Sequence, residues 1–404
     1  VRVLFLTHRL PYAPNRGDRL RAYHILQWLR DRASVDLVSL VHDDEEASHV
    51  DETRAFVPQV TTLRVPSFRN HLRAIATLAT NSPLTHTLLD APGIEATLTE
   101  ILQVRRPDVV FAFGSGMGRF ALAPPLAGLP LILDLVDVDS RKWQDLAGTT
   151  RAPLSLIYSR EARTLGAFEA RAAAIAAATL VVNEREAEIA RQLSPTANVQ
   201  VIANGVELDR LRPAAGPSQH ERVVFCGVMN YAPNDHGIRW FINEVWPTVK
   251  SRRPASTLAV VGADPDRSLR ALCARDHTIE LTGKVPDVRP WLWESAVAIA
   301  PLHVARGVQN KALEAIACGL PIVVTPAVAA GLSNGLEPAF VVADAAPQFA
   351  QAVIDLLELP AATRRARAVA ADLGELKWSN TLQRLELLLL NAASGSPGRR
   401  ASEL

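Results

Sequence analysis

Arg306-Gly-Val-Gln-Asn-Lys-Ala-Leu-Glu-Ala-Ile-Ala-Cys-Gly-Leu-Pro321 is the stretch whose reading decides the fold. One apolar run, Val297 to Ala300, precedes it and another, Ile322 to Thr325, follows it, so a loop and a helix are bracketed by two strands. A helix N-terminus offers unpaired N–H groups and the positive end of a dipole, and both suit a phosphate. Gly307 removes the side chain that would hold an anion at a distance. Lys311 and Glu314 are three residues apart and share a helical face. The first can reach a diphosphate while the second accepts hydrogen bonds from sugar hydroxyls. A surface loop with a routine ion pair has the same spacing, but the ordered succession of strand, loop, helix and strand favours the phosphate site.

Outward from this stretch, short apolar runs alternate with helical stretches along the whole chain, the pattern of parallel α/β layers. Strands are expected from Val3–Thr7 through Val199–Ile202 in the first half, and from Val223–Cys226 through Phe340–Val342 in the second. The fold class is therefore α/β, with two doubly wound Rossmann-like domains that bind ligands at the carboxyl ends of their strands. The first domain takes residues 1–204. An Asn-Gly turn and a Pro/Gly-rich run, Asn204 to Pro217, make 205–217 the linker. The second domain takes 218–376, a C-terminal helix within 377–391 packs back on the first, and 392–404 is a tail without apolar content.

Composition bounds the rest. A chain of 404 residues is too long for one ordinary core. Its formal net charge of +1 gives no field that would attract nucleic acid. Three widely spaced cysteines, Cys226, Cys273 and Cys318, form neither a disulfide framework nor a zinc pattern and favour a reducing compartment. The opening Val1–His8 reads as a buried strand rather than a secretory signal. No run reaches the ~18 apolar residues of a membrane span. The expected location is the cytoplasm, with room for peripheral contact at the inner face of the membrane.

Five further stretches bear on chemistry or partners. His8-Arg-Leu-Pro-Tyr-Ala-Pro-Asn-Arg-Gly-Asp-Arg-Leu-Arg21 is a stiff loop after the first strand. Asp18 is the expected N-cap of the next helix, and Gly17 lets backbone approach an acceptor or a phosphate. Asp137-Val-Asp139 could hold a metal bridging a diphosphate, but the two-domain pattern gives that charge to Lys311 and a helix N-terminus, so no metal is expected. One of Asp134, Asp137 and Asp139 should cap the helix at Ser140. Phe113-Gly-Ser-Gly-Met-Gly118 imitates a dinucleotide fingerprint with Arg119 where glycine is wanted, and reads as a flexible cleft loop. Phe225-Cys-Gly-Val-Met-Asn-Tyr-Ala-Pro-Asn-Asp235 places Gly227 after a strand, where a ligand can come close. Finally, no acidic residue occurs from Thr53 to Leu89, where Arg54, Arg64, Arg69 and Arg73 alternate with Phe68, Leu72, Ile75 and Leu78. Two readings stay open: a core-facing helix with a solvated arginine face, or a docking face for anionic membrane.

The Gly307–Pro321 segment resembles the donor-binding helix of the family 4 retaining glycosyltransferases, which share the GT-B fold of two Rossmann-like domains facing a central cleft. Their usual E-x7-E signature has Glu314 as its second member and Arg306 in place of its first. The G-x-x-x-K-x-L-E version found in one branch fits Gly307 to Glu314 at each fixed position. The Asn204-Gly-Val206 turn, the Pro-x-x-Pro-x-x-Gly-Asp-Arg-x-Arg loop and the Gly-x-Met-x-Tyr-x-Pro-Asn run also resemble this family. Within it, the chain is most similar to the sugar transferases of bacterial exosortase (PEP-CTERM) exopolysaccharide systems. The resemblance implies an acceptor-binding first domain and a nucleotide-sugar-binding second domain. It implies donor contacts by Gly227, Asn230, Lys284, Val285, Gly307, Val308, Lys311 and Glu314. An acceptor or phosphate loop at Arg16, Gly17 and Asp18 follows from it too, with catalytic roles for Lys311 and Asp137. Val136 stands where the family often has a histidine. The implied activity is metal-independent and cofactor-free sugar transfer, with retention, to a glycan or lipid-linked acceptor. A nucleotide-sugar 2-epimerase and a non-catalytic sugar-binding protein remain the alternatives.

Overall fold

The computed structural model describes residues 1–12, 17–305, 308–332 and 334–395. The chain divides into two compact units, Val1–Ala203 with Thr381–Leu404, and Asn204–Asn380. In the first, β1 (Arg2–Thr7), β2 (Ser34–Val41), β3 (Gln59–Arg64), β4 (Val109–Phe113), β5 (Leu131–Val136), β6 (Ala178–Val181) and β7 (Val199–Val201) form a parallel sheet of order β3-β2-β1-β4-β5-β6-β7. In the second, β8 (Arg222–Cys226), β9 (Thr257–Val261), β10 (Ile279–Gly283), β11 (Val297–Ala300), β12 (Ile322–Val324) and β13 (Phe340–Val342) give β10-β9-β8-β11-β12-β13. The central strands are near-continuous Val, Leu, Ile and Phe runs because helices cover both faces and leave no polar side. Each sheet reverses its winding once, between β1 and β4 and between β8 and β11. Such switch points open a crevice at the carboxyl ends of the strands.

Helices depart from the sequence expectation more than strands do. The stretch expected as one helix from Gly237 to Arg252 is three pieces: Ala232–Trp240, a π-helical turn Phe241–Val245, and Trp246–Arg252. Pro247 explains the break, since it has no N–H and its ring crowds the carbonyl four residues back. The supposed flexible loop at Phe113–Gly118 is a buried helix, Ser115–Ala121. Its glycines serve packing, for a Cβ on Gly116 would lie 2.4 Å from Leu89 Cδ1.

Gly205 likewise serves close approach rather than a turn. A Cβ there would come within 2.5 Å of the Trp378 ring, and Val206 N–H donates to Leu376 O at 2.6 Å. Residues expected as linker thus start the second unit. The helix Gln383–Ser394 packs on β4 and β5 of the first unit and buries Leu385, Leu389, Ala392 and Ala393. Ala392 and Ala393 therefore belong to the helix, not to the expected tail, of which residues 396–404 lie outside the described residues.

One buried ion pair ties the first unit together. Arg21, on the helix Gly17–Arg30, donates from Nε to Asp134 Oδ2 on β5 at 2.8 Å and from Nη1 to the Ile202 carbonyl at 2.8 Å. Both side chains are almost fully buried. Removing one member of such a pair strands the other charge in a low dielectric, whereas replacing both by apolar groups need not destabilise. Asp134→Ala should therefore lower stability by about 3–5 kcal/mol, and Arg21→Met with Asp134→Leu should recover much of it. Urea unfolding followed by fluorescence checks this. A single variant as stable as the parent would show that the pair does not hold the unit.

Candidate active site

In the second unit the groups converge at the β8/β11 switch point. The helix after β11 begins at Asn310, with Gln309 as N-cap and no side-chain cap bond. Lys311 in its first turn sends its ammonium toward the end of β8. There Nζ donates to Asn234 Oδ1 and lies 4.8 Å from the centre of the Phe225 ring, within cation–π range. Gly227, the residue after β8, is what makes room. A Cβ there would be 2.8 Å from Asn234 Nδ2 and 3.1 Å from Lys311 Nζ. Asn234 is buried and held by its own Nδ2, which donates to Val228 O at 2.8 Å. Lys311's partner is thus a neutral amide.

Burial pushes the Lys311 amine down to about 8, opposed by Cys226 and Glu314. Glu314, one turn further along the same helix, is pushed up by burial against the pull of Lys311 and Arg210. The Cys226 thiol is pushed up to about 12 by burial, with Glu314 adding to it, and so stays neutral. An ammonium with no carboxylate in its hydrogen-bond shell among the described residues, facing a glycine, is an arrangement that gains from an anion.

The neighbouring loop depends on a second glycine that sequence reasoning missed. Gly262, after β9, has φ of 152°, and a Cβ on it would lie 1.7 Å from the Gly227 carbonyl oxygen. Gly227 N–H donates to Val261 O and Met229 N–H to Ala263 O. The two loops therefore stack backbone on backbone. Asn230 Nδ2 donates to Asp264 Oδ2 at 3.1 Å, and Asp264 itself has φ of 59°. Val285 and Val308 are half-buried against the core of this unit, and Lys284 is exposed beside Gly283. Gly307 and Arg306 lie outside the described residues.

The first unit holds the other expected residues. Gly17 begins the helix that Asp18 was expected to cap, and Arg16 lies outside the described residues. At the end of β5, Val136 has φ of 66°, rare for a β-branched residue and a sign of stored strain. Its N–H is taken by Asp134 Oδ1 at 3.1 Å. None of the three aspartates caps the helix Asp139–Thr149, whose N-cap is Val138. Instead Val138 N–H donates to Glu186 Oε2 at 2.8 Å and Ser140 N–H to Glu169 Oε2 at 3.2 Å. These glutamates, 48 and 29 residues away from the groups they bind, give no local sequence signal.

Asp137 stands beside them. Its Oδ1 is buried with no hydrogen-bond partner among the described residues. Burial, then Glu186 and Asp139, push its carboxyl up to about 7, against Lys142 and Arg21. Among the described residues, no three His, Cys, Asp or Glu side chains are placed to hold a metal ion.

Residues 17–205 match the family model described as a glycosyl transferase 4-like domain, and residues 220–359 match that of glycosyl transferases group 1. Among curated proteins none matches the chain. Among solved structures, the Anabaena protein HepE in complex with UDP aligns with a TM-score of 0.67 and 15% identity, covering 97% of this chain and 100% of that one. Sucrose-phosphate synthase from Thermosynechococcus elongatus aligns at 0.69 and 16%, covering 98% and 100%. An α,α-trehalose 6-phosphate synthase from Burkholderia multivorans aligns at 0.65 and 14%, covering 99% and 98%. At such identities the likeness establishes the fold, GT-B, with its two Rossmann-like domains.

A pH test follows from Lys311. Its ordinary value is 10.5 and its folded value about 8, so the unfolded chain holds this proton over a window where the folded chain has released it. Stability from this group therefore rises with pH across that window. An anion beside the ammonium reverses the shift. Binding of UDP or pyrophosphate just above pH 8 should take up a proton, seen as binding heats that vary with the ionisation enthalpy of the buffer. Lys311→Met should abolish that dependence. Equal heats in all buffers for the parent would place the anion elsewhere.

Proposed function

Because residues 17–205 and 220–359 match glycosyltransferase family models, we propose that this chain is a glycosyltransferase and transfers a sugar, with retention, from a nucleotide-diphosphate donor to a glycan or lipid-linked acceptor. The observation that carries the reading is the Lys311 ammonium, desolvated beside Gly227 with a neutral amide as its hydrogen-bond partner. As the donor diphosphate departs, negative charge grows on it, and a pre-positioned ammonium stabilises that charge without reorganising. In the proposed step the bond from the anomeric carbon to the diphosphate breaks and the acceptor hydroxyl bonds to the same face. The hydroxyl proton passes to the leaving phosphate, so no separate base is needed.

In this reading Glu314 takes the ribose hydroxyls and Val285 the base. Gly227, Asn230, Lys284, Gly307 and Val308 line the donor, while Arg16, Gly17, Asp18 and Asp137 serve the acceptor side. The charge on Lys311 supports transfer without a metal. HepE is described with UDP and UDP-glucose, which puts uridine nucleotide sugars first among donors to test. The motif resemblance supports exopolysaccharide assembly of the exosortase-associated kind, at the cytoplasmic face of a membrane.

Five outcomes check the proposal. A panel of nucleotide sugars should contain one that raises the unfolding temperature, since a ligand bound to the folded state stabilises it by mass action. Glu314→Gln should weaken that donor by about 1.5–3 kcal/mol with the fold intact. Lys311→Ala should cost roughly 3–4 kcal/mol in the transition state, about 10²–10³ in turnover, with Lys311→Arg recovering part. Chelation should leave turnover unchanged, and a strict need for Mg²⁺ would overturn the charge assignment. Epimerisation of the donor without any acceptor would replace transfer by the isomerase reading.

A further inference from the structure

The helix Ser67–Thr77 is amphipathic in the wrong direction for a core-packed helix. Its inward stripe is Asn70, Ala74 and Thr77, at helical spacing. Asn70 is fully buried and donates from Nδ2 to the carbonyls of Leu88 at 3.2 Å and Asp90 at 2.7 Å. Thr77 Oγ1 meets Thr87 Oγ1 at 2.9 Å. The outward stripe is Phe68, Leu72 and Ile75, exposed by 81%, 55% and 67%. The core-facing reading of this stretch is therefore corrected: polar atoms anchor the helix and its apolar side chains face out. Single exposed hydrophobic residues are ordinary, but a complete stripe over a buried asparagine is not.

The stripe is held as a platform. Arg160 donates to the carbonyls of Thr77 at 2.7 Å, Thr80 at 2.5 Å and Ser82 at 2.9 Å, fixing the helix end and the turn after it. One turn before Arg160, Leu156 is also exposed. Arg69 and Arg73 flank the stripe, each about half exposed. They share the single carboxylate of Asp90 with Arg119, so the flank carries net positive charge.

We propose that this face docks on an anionic lipid bilayer, with Phe68, Leu72 and Ile75 among the acyl chains and Arg69 and Arg73 at the phosphates. An apolar ridge edged with arginines is the chemistry of an interfacial helix. No helix among the described residues is long and apolar enough to cross a membrane. A second copy of the chain is a poorer occupant. Two-fold pairing sets the same patch against itself, and its arginines would face arginines with Asp90 already shared among Arg69, Arg73 and Arg119. The inference rests on the lipid-linked acceptor proposed above for its purpose, while the face is read from the structure.

The test is flotation of the full chain with phosphatidylcholine vesicles, with and without phosphatidylglycerol. The parent should float with the anionic vesicles, and added salt should weaken this. Phe68→Ser with Ile75→Ser should weaken partitioning by about 10²-fold, and Arg69→Gln with Arg73→Gln by about tenfold on anionic vesicles. Both double variants should keep the parent's thermal shift with UDP, since their changed residues are exposed and outside the proposed site. A parent that does not float, or a Phe68/Ile75 variant that floats as well, would overturn the docking face. Self-association lost in that variant, without lipid binding by the parent, would overturn it in favour of a dimer interface. Flotation without any nucleotide shift would leave the docking face standing and remove only the donor reading.

Discussion

Keeping one ammonium out of water is the constraint around which the second unit is organised. The Lys311 side chain reaches the β8/β11 switch point only because the helix after β11 starts at Asn310, and it fits there only because Gly227 carries no side chain. Gly227 in turn lies against Gly262, where no L-residue fits. A desolvated charge costs free energy unless something answers it. Here the answer in the free protein is partial: an amide oxygen from Asn234 and the face of Phe225. The lowered amine measures the shortfall, and an anionic ligand is what would remove it. An ammonium so placed would be stabilised by the proposed anion, whereas the two members of a structural ion pair already satisfy each other.

The first unit solves the opposite problem. Three buried carboxylates there accept from backbone N–H groups: Glu186 and Glu169, each through one oxygen, at the start of the helix after β5, and Glu161 from the Leu84 and Thr85 N–H groups at 2.6 and 2.9 Å. Arg21 fixes Asp134 at the end of β5, and Asp134 takes the N–H of Val136 in its left-handed conformation. The chain leaves β5 in a strained turn that puts Asp137 between Glu186 and Asp139, where its carboxyl is pushed up to about 7. Strain of this kind persists only where the surroundings over-determine it, and here a buried ion pair does so.

Both sheets were legible because parallel strands covered on two faces must be continuous apolar runs, and such runs end where the chain leaves the core. The Lys311 and Gly227 motifs were legible because each follows a strand. What was not legible depends on distance along the chain. Glu186 and Glu169 bind N–H groups far from themselves in sequence, so the local aspartates looked like the caps. Gly205 looked like a turn, since nothing local announces Trp378. The Phe113–Gly118 glycines looked like a loop, since glycine needed for helix packing and glycine needed for freedom are the same letter. In the Ser67–Thr77 helix the periodicity was plain, but periodicity cannot say which stripe faces in.

The allocation of basic residues follows from the same physics. Only five of the 43 basic residues are lysines. Arginine takes the structural posts, where a rigid fork with several donors can satisfy many acceptors at once. Arg160 holds several carbonyls after the Ser67–Thr77 helix, and buried Arg364 holds those of Leu357, Leu359 and Ser218. Such a group keeps its charge in any surroundings and gains little from a new ligand once its acceptors are filled. Lysine behaves otherwise. Its compact ammonium gives up stability readily when desolvated and recovers it when an anion arrives, so its charge is coupled to occupancy. A lysine at the switch point would therefore respond to the diphosphate proposed there in a way that a guanidinium with filled acceptors would not.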